Sequence, residues 1–295
     1  MAVLIFANPI AGSGQSGDMA LRLERALTNA GYETVLLPGR STSPEPLPAD
    51  AQAAIVIGGD GTLGEVVGRY YREMGGSPPI LLVPRGTANL MGQHLGFRAN
   101  DPHPESGVLA AFKAGRMRAV DVASANGRIM LLVAGVGIDG EVVHELARLR
   151  TGPIGKQAYV LPAALALSRF TYPPLTVKVD GQVILRDEPA LAFIGNVPEY
   201  GTGFPVLPDA RPDDGLLDVC AMPCASPAQL AEIALYAAAG EHLTVEGVRY
   251  VKGQRVQIES VEPVAVQVDG DAAGNTPLEV HLLPVRLPLI LPANL

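Results

Sequence analysis

The sequence is short of cysteine and of long apolar segments, and each shortage excludes a class of protein. Its two cysteines, Cys220 and Cys224, form a C-x3-C arrangement without a second pair or a neighbouring histidine. This argues against a zinc site or a disulfide framework, and we expect two reduced thiols in a cytoplasmic protein. No apolar stretch reaches the ~18 residues of a membrane-spanning helix. The apolar residues 1–7 lack the basic leader of a signal peptide.

Positive charge is scarce as well. The formal net charge is −8 and the isoelectric point is about 5.2. Because nucleic-acid binding relies on clustered lysine and arginine, we expect no nucleic-acid partner. The P-loop pattern G-x-x-x-x-G-K-[ST] is absent, and the five histidines are scattered without an H-E-x-x-H arrangement.

Apolar residues are plentiful enough for two cores. Hydrophobic residues make up 48% of the 295 positions, and a single core usually stops growing near ~250 to 300 residues. Up to about residue 120, buried-strand runs at 3–7, 34–37, 54–57 and 80–83 alternate with helical patterns such as 18–30 and 63–74. This alternation predicts a doubly wound parallel sheet in an α/β domain spanning residues 1–120.

Beyond residue 120 the pattern becomes antiparallel. Asn126-Gly127 and Asp180-Gly181 each separate two β-rich runs, as the two-residue turn of a hairpin does. More β-rich runs follow at 190–194, 216–222, 249–260, 264–268 and 278–283, with helical insertions near 141–150, 157–170 and 227–239. Residues 121–285 are therefore predicted to form a mostly antiparallel β domain.

The segment Gly58-Gly59-Asp60-Gly61-Thr62 lies between a predicted strand and a predicted helix. Glycines there allow close backbone approach to phosphate, and the helix N-terminus supplies N–H donors. Asp60 would then organise Mg²⁺ or take a proton in phosphoryl transfer. The alternative is a tight turn in which Asp60 caps the next helix.

A second glycine-rich segment, residues 12–17, formally fits the dinucleotide-binding pattern G-x-G-x-x-G. Two observations disfavour an oxidoreductase. The first glycine lies four residues beyond Asn8, and no acidic residue ends the second strand to hold a ribose. With lysine scarce, phosphate charge would be met by backbone donors, Mg²⁺ and Arg22 or Arg85.

Two acidic segments stand in the second domain. Residues 208–218 contain four aspartates and lead into a strand, which fits either Asx turns or oxygen ligation of a hard cation. Asp269-Gly270-Asp271 is either a hairpin turn or a pair of carboxylates, one of which would have a raised pKa. Spacing alone favours the turn.

Taken in order, these motifs resemble the bacterial diacylglycerol kinase-like lipid kinases, whose catalytic fold also occurs in sphingosine and ceramide kinases. The resemblance spans nearly the whole chain. In the first domain it rests on Asn8-Pro9 with Gly12, Gly58 to Thr62 with Glu65-Val66-Val67, and Pro84 with Gly86-Thr87-Ala88-Asn89. In the second it rests on Gly135-Val136-Gly137-Ile138-Asp139, Asn196, Pro208-Asp209-Ala210, Asp214-Gly215-Leu216-Leu217-Asp218 and Asp269-Gly270-Asp271.

The resemblance implies an ATP- and Mg²⁺-dependent kinase that phosphorylates a hydroxyl of a diacylglycerol-like or sphingoid lipid. It also implies a β-sandwich second domain and a first domain completed by residues 286–295. The implied nucleotide-binding residues are Asn8, Pro9, Ala11, Gly12, Ser13, Gly58, Gly59, Asp60, Gly61, Thr62, Glu65, Gly86, Thr87 and Asn89. A structural Mg²⁺ would be held by Asp214 and the carbonyls of Arg211 and Leu216. Asp271 would accept the hydroxyl proton, with Asp269 or Asp60 as substitutes.

A lipid substrate implies peripheral contact with the inner membrane surface from the cytoplasm, and a homo-oligomer remains open. The apolar stretch 158–170, interrupted by Pro162, fits a lipid-facing wall or buried core, and core is favoured.

Two alternatives share the fold. NAD kinases contain the same Gly-Gly-Asp-Gly-Thr turn, but their second-domain signature Thr-Pro-Thr-Gly-Ser-Thr-Ala-Tyr is missing here. A nucleotide-binding regulator with weak catalysis is suggested by three departures from the family pattern: Gly64 stands in place of Asn, Leu90-Met91 in place of Asp-Phe, and Asp271 in place of Glu.

Overall fold

A computed structural model describes residues 2–7, 16–38, 47–48, 50–149, 160–201 and 204–293. The chain divides into two compact units. The first consists of Met1–Val120 and Pro284–Leu295, and the second of Asp121–Leu283. None of the described helices is both long and apolar enough to cross a membrane.

The first unit contains a six-stranded sheet. Its strands are β1 (Val3–Ala7), β2 (Thr34–Pro38), β3 (Ala53–Gly58), β4 (Ile80–Pro84), β5 (Met117–Val120) and β17 (Leu287–Ile290). The strand order is β2-β1-β3-β4-β17-β5, in which only the β17–β5 pair is antiparallel. Strands β1, β3 and β4 are buried along nearly their whole length, as their uninterrupted apolar runs predict. The predicted α/β architecture is confirmed.

Four helices accompany this sheet: α1 (Ser16–Asn29), α2 (Asp60–Met74), α3 (Leu90–His94) and α4 (Glu105–Ala114). Helix α1 buries Met19, Leu23 and Leu27 at helical spacing. Helix α2 begins at Asp60, three residues before the start at residue 63 that the sequence predicts, because Gly59 is its N-cap. It ends at Gly75, which has a left-handed φ of 72°.

The strand order reverses next to β1, which has β2 on one side and β3 on the other. In open α/β sheets, ligands bind beyond the carboxyl ends of the strands at such a reversal. The segments that follow β3 and β4 both leave the sheet at this edge, since those strands are parallel neighbours. The fold therefore brings Gly58 to Thr62 and Gly86 to Asn89 together.

The second unit is an antiparallel β structure. Its strands are β6 (Ala123–Ala125), β7 (Arg128–Met130), β8 (Val133–Val136), β9 (Pro174–Val179), β10 (Gln182–Gly195), β11 (Leu217–Pro223), β12 (Arg249–Gly253), β13 (Arg255–Glu259), β14 (Ala265–Val268), β15 (Asp271–Asn275) and β16 (Leu278–Leu282). The long strand β10 pairs with β9 through its first half and with β8 and β11 through its second. Side chains from both halves, such as Val177, Val256, Ala134 and Val266, share one core. The predicted mostly antiparallel second domain is confirmed.

Both predicted hairpin turns are present in this unit. Asn126-Gly127 joins β6 to β7 and Asp180-Gly181 joins β9 to β10, with positive φ at all four residues. Asp269-Gly270 makes a third turn of this kind between β14 and β15, with φ values of 52° and 85°. The backbone of this segment is thus the hairpin turn that its spacing favours.

The described part of this unit contains three α-helices: α5 (Ile138–Leu149), α6 (Val160–Arg169) and α7 (Pro227–Ala239). The prediction that the apolar stretch 158–170 is buried core is wrong for part of helix α6. Leu161 and Leu167 are 59% and 49% exposed, whereas Ala166 is buried. Helix α6 packs against α5, and these two leucines nevertheless remain largely exposed.

Candidate active site

The segments after β3 and β4 touch through their glycines. A Cβ on Gly59 would lie 2.8 Å from the Cα of Gly86, and a Cβ on Gly86 would lie 2.6 Å from the Cα of Gly59. Because any side chain would separate the two backbones, both positions require glycine. The Arg85 N–H also donates to the Gly58 carbonyl at 2.8 Å. The two segments thus form one continuous backbone surface at the sheet edge.

Two polar side chains hold this surface together. Asn89, buried and with φ of 53°, accepts from the Gly86 N–H at 2.7 Å and donates to the Gly86 carbonyl at 2.8 Å. The Asp60 carboxylate accepts from the N–H groups of Leu90 and Met91 at 2.9 and 3.2 Å. Asp60 therefore does not cap its own helix, where Gly59 is the N-cap; it ties the start of α2 to the start of α3.

Burial raises the pKa of Asp60, even though the N–H groups of Leu90 and Met91 stabilise its anion. The backbone beside it is open. Gly61, Glu65 and Thr87 are exposed, and a Cβ on Gly61 would meet nothing within 4 Å. The N-cap Gly59 provides no side-chain acceptor to the first turn of α2. An anion could accept hydrogen bonds from that turn.

Five of the implied nucleotide-binding residues lie outside the described residues: Asn8, Pro9, Ala11, Gly12 and Ser13. The two arginines suggested for phosphate charge are described, and both contact the segment before α4. Arg85 donates to the Asp101 carbonyl, and Arg22 donates to the Pro102 carbonyl at 2.8 Å.

In the second unit, Asp269 has a structural role that its sequence position did not reveal. Its carboxylate accepts from the N–H groups of Leu131, Leu132 and Val133 at 2.8, 2.9 and 3.1 Å. Burial nevertheless raises the pKa of Asp269 to about 6. These hydrogen bonds hold the turn between β14 and β15 against residues 131–133, which lead from β7 into β8.

Asp271, two residues further on, is far more accessible. Its side chain is 52% exposed and its Oδ2 lies 2.6 Å from the guanidinium of Arg128. The turn that precedes it is held from a second side, because the Gly270 N–H donates to Gln267 at 2.9 Å. Arg128 carried no sequence signal, since its proximity to Asp271 depends on strands 143 positions apart.

Asp139 is a buried acid whose burial sequence analysis did not predict. It sits in the first turn of α5, and its carboxylate occupies the space that Gly135 leaves by lacking a Cβ. Neither oxygen has a partner in full hydrogen-bond geometry among the described residues. Burial raises the pKa of Asp139 to about 7, with the Gly140 N–H and the Gln267 amide offsetting it only in part. The available signal was a single carboxylate within the otherwise apolar residues 131–140.

The acid-rich loop 208–218 lines a cavity of about 470 Å³. Its lining consists of Pro208, Asp209, Ala210, Arg211, Asp214 and Lys252. Asp214 Oδ1 accepts from the Leu216 N–H at 3.1 Å, and Asp214 Oδ2 lies 3.2 Å from the ammonium of Lys252. Asp121 supports the loop by accepting from the Gly215 N–H at 2.8 Å.

The loop fits the implied structural metal poorly. Among the described residues, no group of three or more histidine, cysteine, aspartate or glutamate side chains could hold a metal ion. Asp214 is the sole side chain in the implied ligand set, and both of its oxygens already have partners. Lys252 carried no sequence signal, because its position depends on the pairing of β12 with β11 and not on neighbouring residues.

Family models match both parts of the chain. A model of the diacylglycerol kinase catalytic domain matches residues 2–125, and a model of the YegS C-terminal NAD kinase beta sandwich-like domain matches residues 132–291. Together they extend over nearly the whole sequence.

Curated relatives match more than nine tenths of the chain. A diacylglycerol kinase of Staphylococcus carnosus (strain TM300) is 31% identical over 283 residues, spanning 92% of this chain and 89% of that protein. A diacylglycerol kinase of Staphylococcus aureus (strain MRSA252) is 28% identical over 293 residues, spanning 94% and 90%.

Solved structures from Bacillus anthracis strain Sterne have the same fold. One, described as a diacylglycerol kinase, superposes with a TM-score of 0.72 at 25% identity, covering 98% of this chain and 96% of that chain. Another reaches a TM-score of 0.77 at 24% identity, covering 98% and 95%.

Proposed function

The chain belongs to the diacylglycerol kinase family of lipid kinases, and on that premise we propose that it transfers the γ-phosphoryl group of ATP to the hydroxyl of a diacylglycerol-like or sphingoid lipid. The observation that carries the ATP assignment is the backbone surface formed by Gly59 and Gly86. It stands at the carboxyl edge of a parallel sheet, beside a helix start without a side-chain cap. Such a surface offers N–H donors to phosphate without requiring lysine.

On the nucleotide side, Gly58 to Thr62 and Gly86 to Asn89 would bind the phosphates. Asn89 and Asp60 hold these segments in register, so they act by positioning the N–H donors. Asn8, Pro9, Ala11, Gly12, Ser13 and Glu65 complete the proposed nucleotide site. Mg²⁺ bound with ATP would neutralise charge on the transferring group, and phosphate oxygens and water would supply most of its ligands.

On the acceptor side, Asp271 is the proposed base. Its accessible carboxylate would take the proton of the lipid hydroxyl. The hydroxyl oxygen then forms a bond to the γ-phosphorus, and the bond from that phosphorus to the β-phosphate oxygen breaks. The products are the phosphorylated lipid and ADP. Asp269 is less suited to this role, because its carboxylate is occupied by three backbone N–H groups.

Helix α6 and the end of α5 supply the proposed contact with the membrane. Leu149, Leu161 and Leu167 are 48%, 59% and 49% exposed, and the side chains of Arg148 and Arg169 are 68% and 69% exposed. Exposed leucines beside arginines favour the surface of an anionic bilayer, where the rest of this acidic protein would be repelled. We expect a peripheral protein that reaches its lipid at the inner membrane surface.

The decisive experiment offers the purified protein labelled ATP and Mg²⁺ with separate acceptors: diacylglycerols, ceramides, sphingoid bases and NAD. Label should appear in one of the lipids. Label in NAD alone would identify an NAD kinase instead, and the NAD kinase-like fold of the second domain makes that arm necessary. ATP binding without any labelled product would identify a regulator, in line with the departures at Gly64, Leu90 and Asp271.

A further inference from the structure

Lys252 contacts Asp214, the one side chain in the metal-ligand set that the resemblance implies. Its Nζ donates to the Asp209 carbonyl at 2.8 Å and lies 3.2 Å from both Asp214 Oδ2 and Asp218 Oδ2. The Asp209 carbonyl and Asp214 Oδ2 accept hydrogen bonds from the ammonium, whereas Asp218 Oδ2 is held as an ion pair without full hydrogen-bond geometry. Two carboxylates and one carbonyl around a cation are also the donors that a hard metal ion would take.

Strand pairing fixes this arrangement. Lys252 of β12 stands directly opposite Asp218 of β11 in the antiparallel register. The Asp218 side chain is completely buried, and its other oxygen accepts from the Tyr250 hydroxyl at 2.5 Å. A buried carboxylate is costly unless a positive partner and hydrogen bonds compensate it. Lys252 and Tyr250, both from β12, provide that compensation.

Lysine is rare in this chain, with only Lys113, Lys156, Lys178 and Lys252. One of these four lysines thus contacts the acid-rich loop 208–218.

We propose that the Lys252 ammonium is the resident cation of the loop 208–218, and that this loop keeps its fold without a divalent metal ion. Lys252 is then a positioning residue, which joins the loop carbonyl of Asp209 to the carboxylates of Asp214 and Asp218. The inference is independent of the phosphoryl acceptor, because it concerns a site that needs neither nucleotide nor lipid.

The test compares wild type with Lys252→Met, which keeps the aliphatic stem and removes the charge. Thermal unfolding is measured after chelation and again with millimolar Mg²⁺ or Ca²⁺, and Mn²⁺ binding is followed by electron paramagnetic resonance. No nucleotide or lipid is present, so the outcome is separate from any failure of the kinase assay. Lys178→Met is the matched control, because Lys178 is also 30% exposed and forms a cross-strand pair with Glu259 at 2.9 Å.

Wild type should melt at the same temperature with and without divalent ions and should bind no stoichiometric Mn²⁺. Lys252→Met should melt about 5 to 10 °C lower, since it leaves Asp218 buried without its positive partner. The control should lose much less, because its single partner is exposed. Added divalent ions should restore part of the loss in Lys252→Met, because the vacated oxygens can then accept a metal.

Two results would overturn the proposal. One is a stoichiometric Mn²⁺ site in wild type that Asp214→Asn abolishes, and the other is a Lys252→Met protein that melts like the control. If Lys252→Met does not fold, Lys252→Arg is measured in its place. Its guanidinium keeps the positive charge, so the variant should fold and should melt at the same temperature with and without divalent ions. Metal-dependent melting of Lys252→Arg would contradict the proposal.

Discussion

Asp139 gives the sharpest quantitative prediction, through the substitution Asp139→Asn. The asparagine amide has nearly the same shape as the carboxylate and fits the space beside Gly135. It cannot ionise, so the variant lacks the cost of a buried anion without partners in full hydrogen-bond geometry. We expect Asp139→Asn to be more stable than wild type at neutral and higher pH.

The size of the effect follows from the pKa of Asp139, which burial raises from 3.8 to about 7 in the folded protein. A carboxyl with a raised folded-state pKa is protonated more readily in the folded state. Stability therefore falls as pH rises from about 4 to about 7, and is level above that. At 1.36 kcal/mol for each pKa unit, the rise from 3.8 to about 7 corresponds to an upper bound of ~4 kcal/mol.

The assay is urea unfolding of both proteins at several pH values between 4 and 8. The difference in unfolding free energy, variant minus wild type, should grow from pH 4 to pH 7 and then remain constant. Asp187→Asn, which removes an exposed carboxylate of the same unit, should show no such growth. A difference that is independent of pH, or that grows as pH falls, would refute the burial argument for Asp139.

Three further predictions test individual contacts. Gly86→Ala should weaken ATP binding at least tenfold in calorimetry, because its Cβ would lie 2.6 Å from the Gly59 backbone. The control is Gly107→Ala, whose Cβ would meet nothing within 4 Å. Equal ATP affinity of the two variants would contradict the role of the Gly59–Gly86 contact. Asp269→Asn should lower the unfolding free energy by about 1–3 kcal/mol, since one amide oxygen cannot serve three N–H groups; wild-type stability would count against it. Replacing Leu161 and Leu167 together by serine should reduce cosedimentation with anionic vesicles; undiminished binding would exclude helix α6 as the membrane contact.

Much of the fold was predictable because its signals are local. The apolar runs of β1, β3 and β4 and the turns at Asn126-Gly127 and Asp180-Gly181 depend on a few adjacent residues. Helix α7 coincides with the helical insertion predicted near 227–239, and Ser226 caps it at one end while Gly240 ends it in a left-handed conformation at the other.

What the sequence could not supply was the partner of each polar group. Asp60 was read as a helix cap or a phosphate-site residue, but its N–H partners lie 30 residues away at the start of α3. Asp269 and Lys252 likewise find their partners on strands that pairing brings together. Such contacts depend on register between distant segments, which no local pattern encodes.

Exposure was equally hard to predict in helix α6. Its apolar composition is as typical of a buried helix as of a lipid-facing one, and only packing against α5 decides which side is covered. The exposed Leu161 and Leu167 are the residues on which the proposed membrane surface depends.

The central claim is tested most directly by single-turnover transfer of label from ATP to the preferred lipid, comparing wild type with Asp271→Asn and Asp271→Glu. Loss of the general base should slow the transfer step of Asp271→Asn by roughly 10² to 10⁴-fold with ATP affinity unchanged. The Glu variant, which has the family's residue, should retain transfer. Full turnover by Asp271→Asn would contradict the assignment of Asp271 as the proton acceptor.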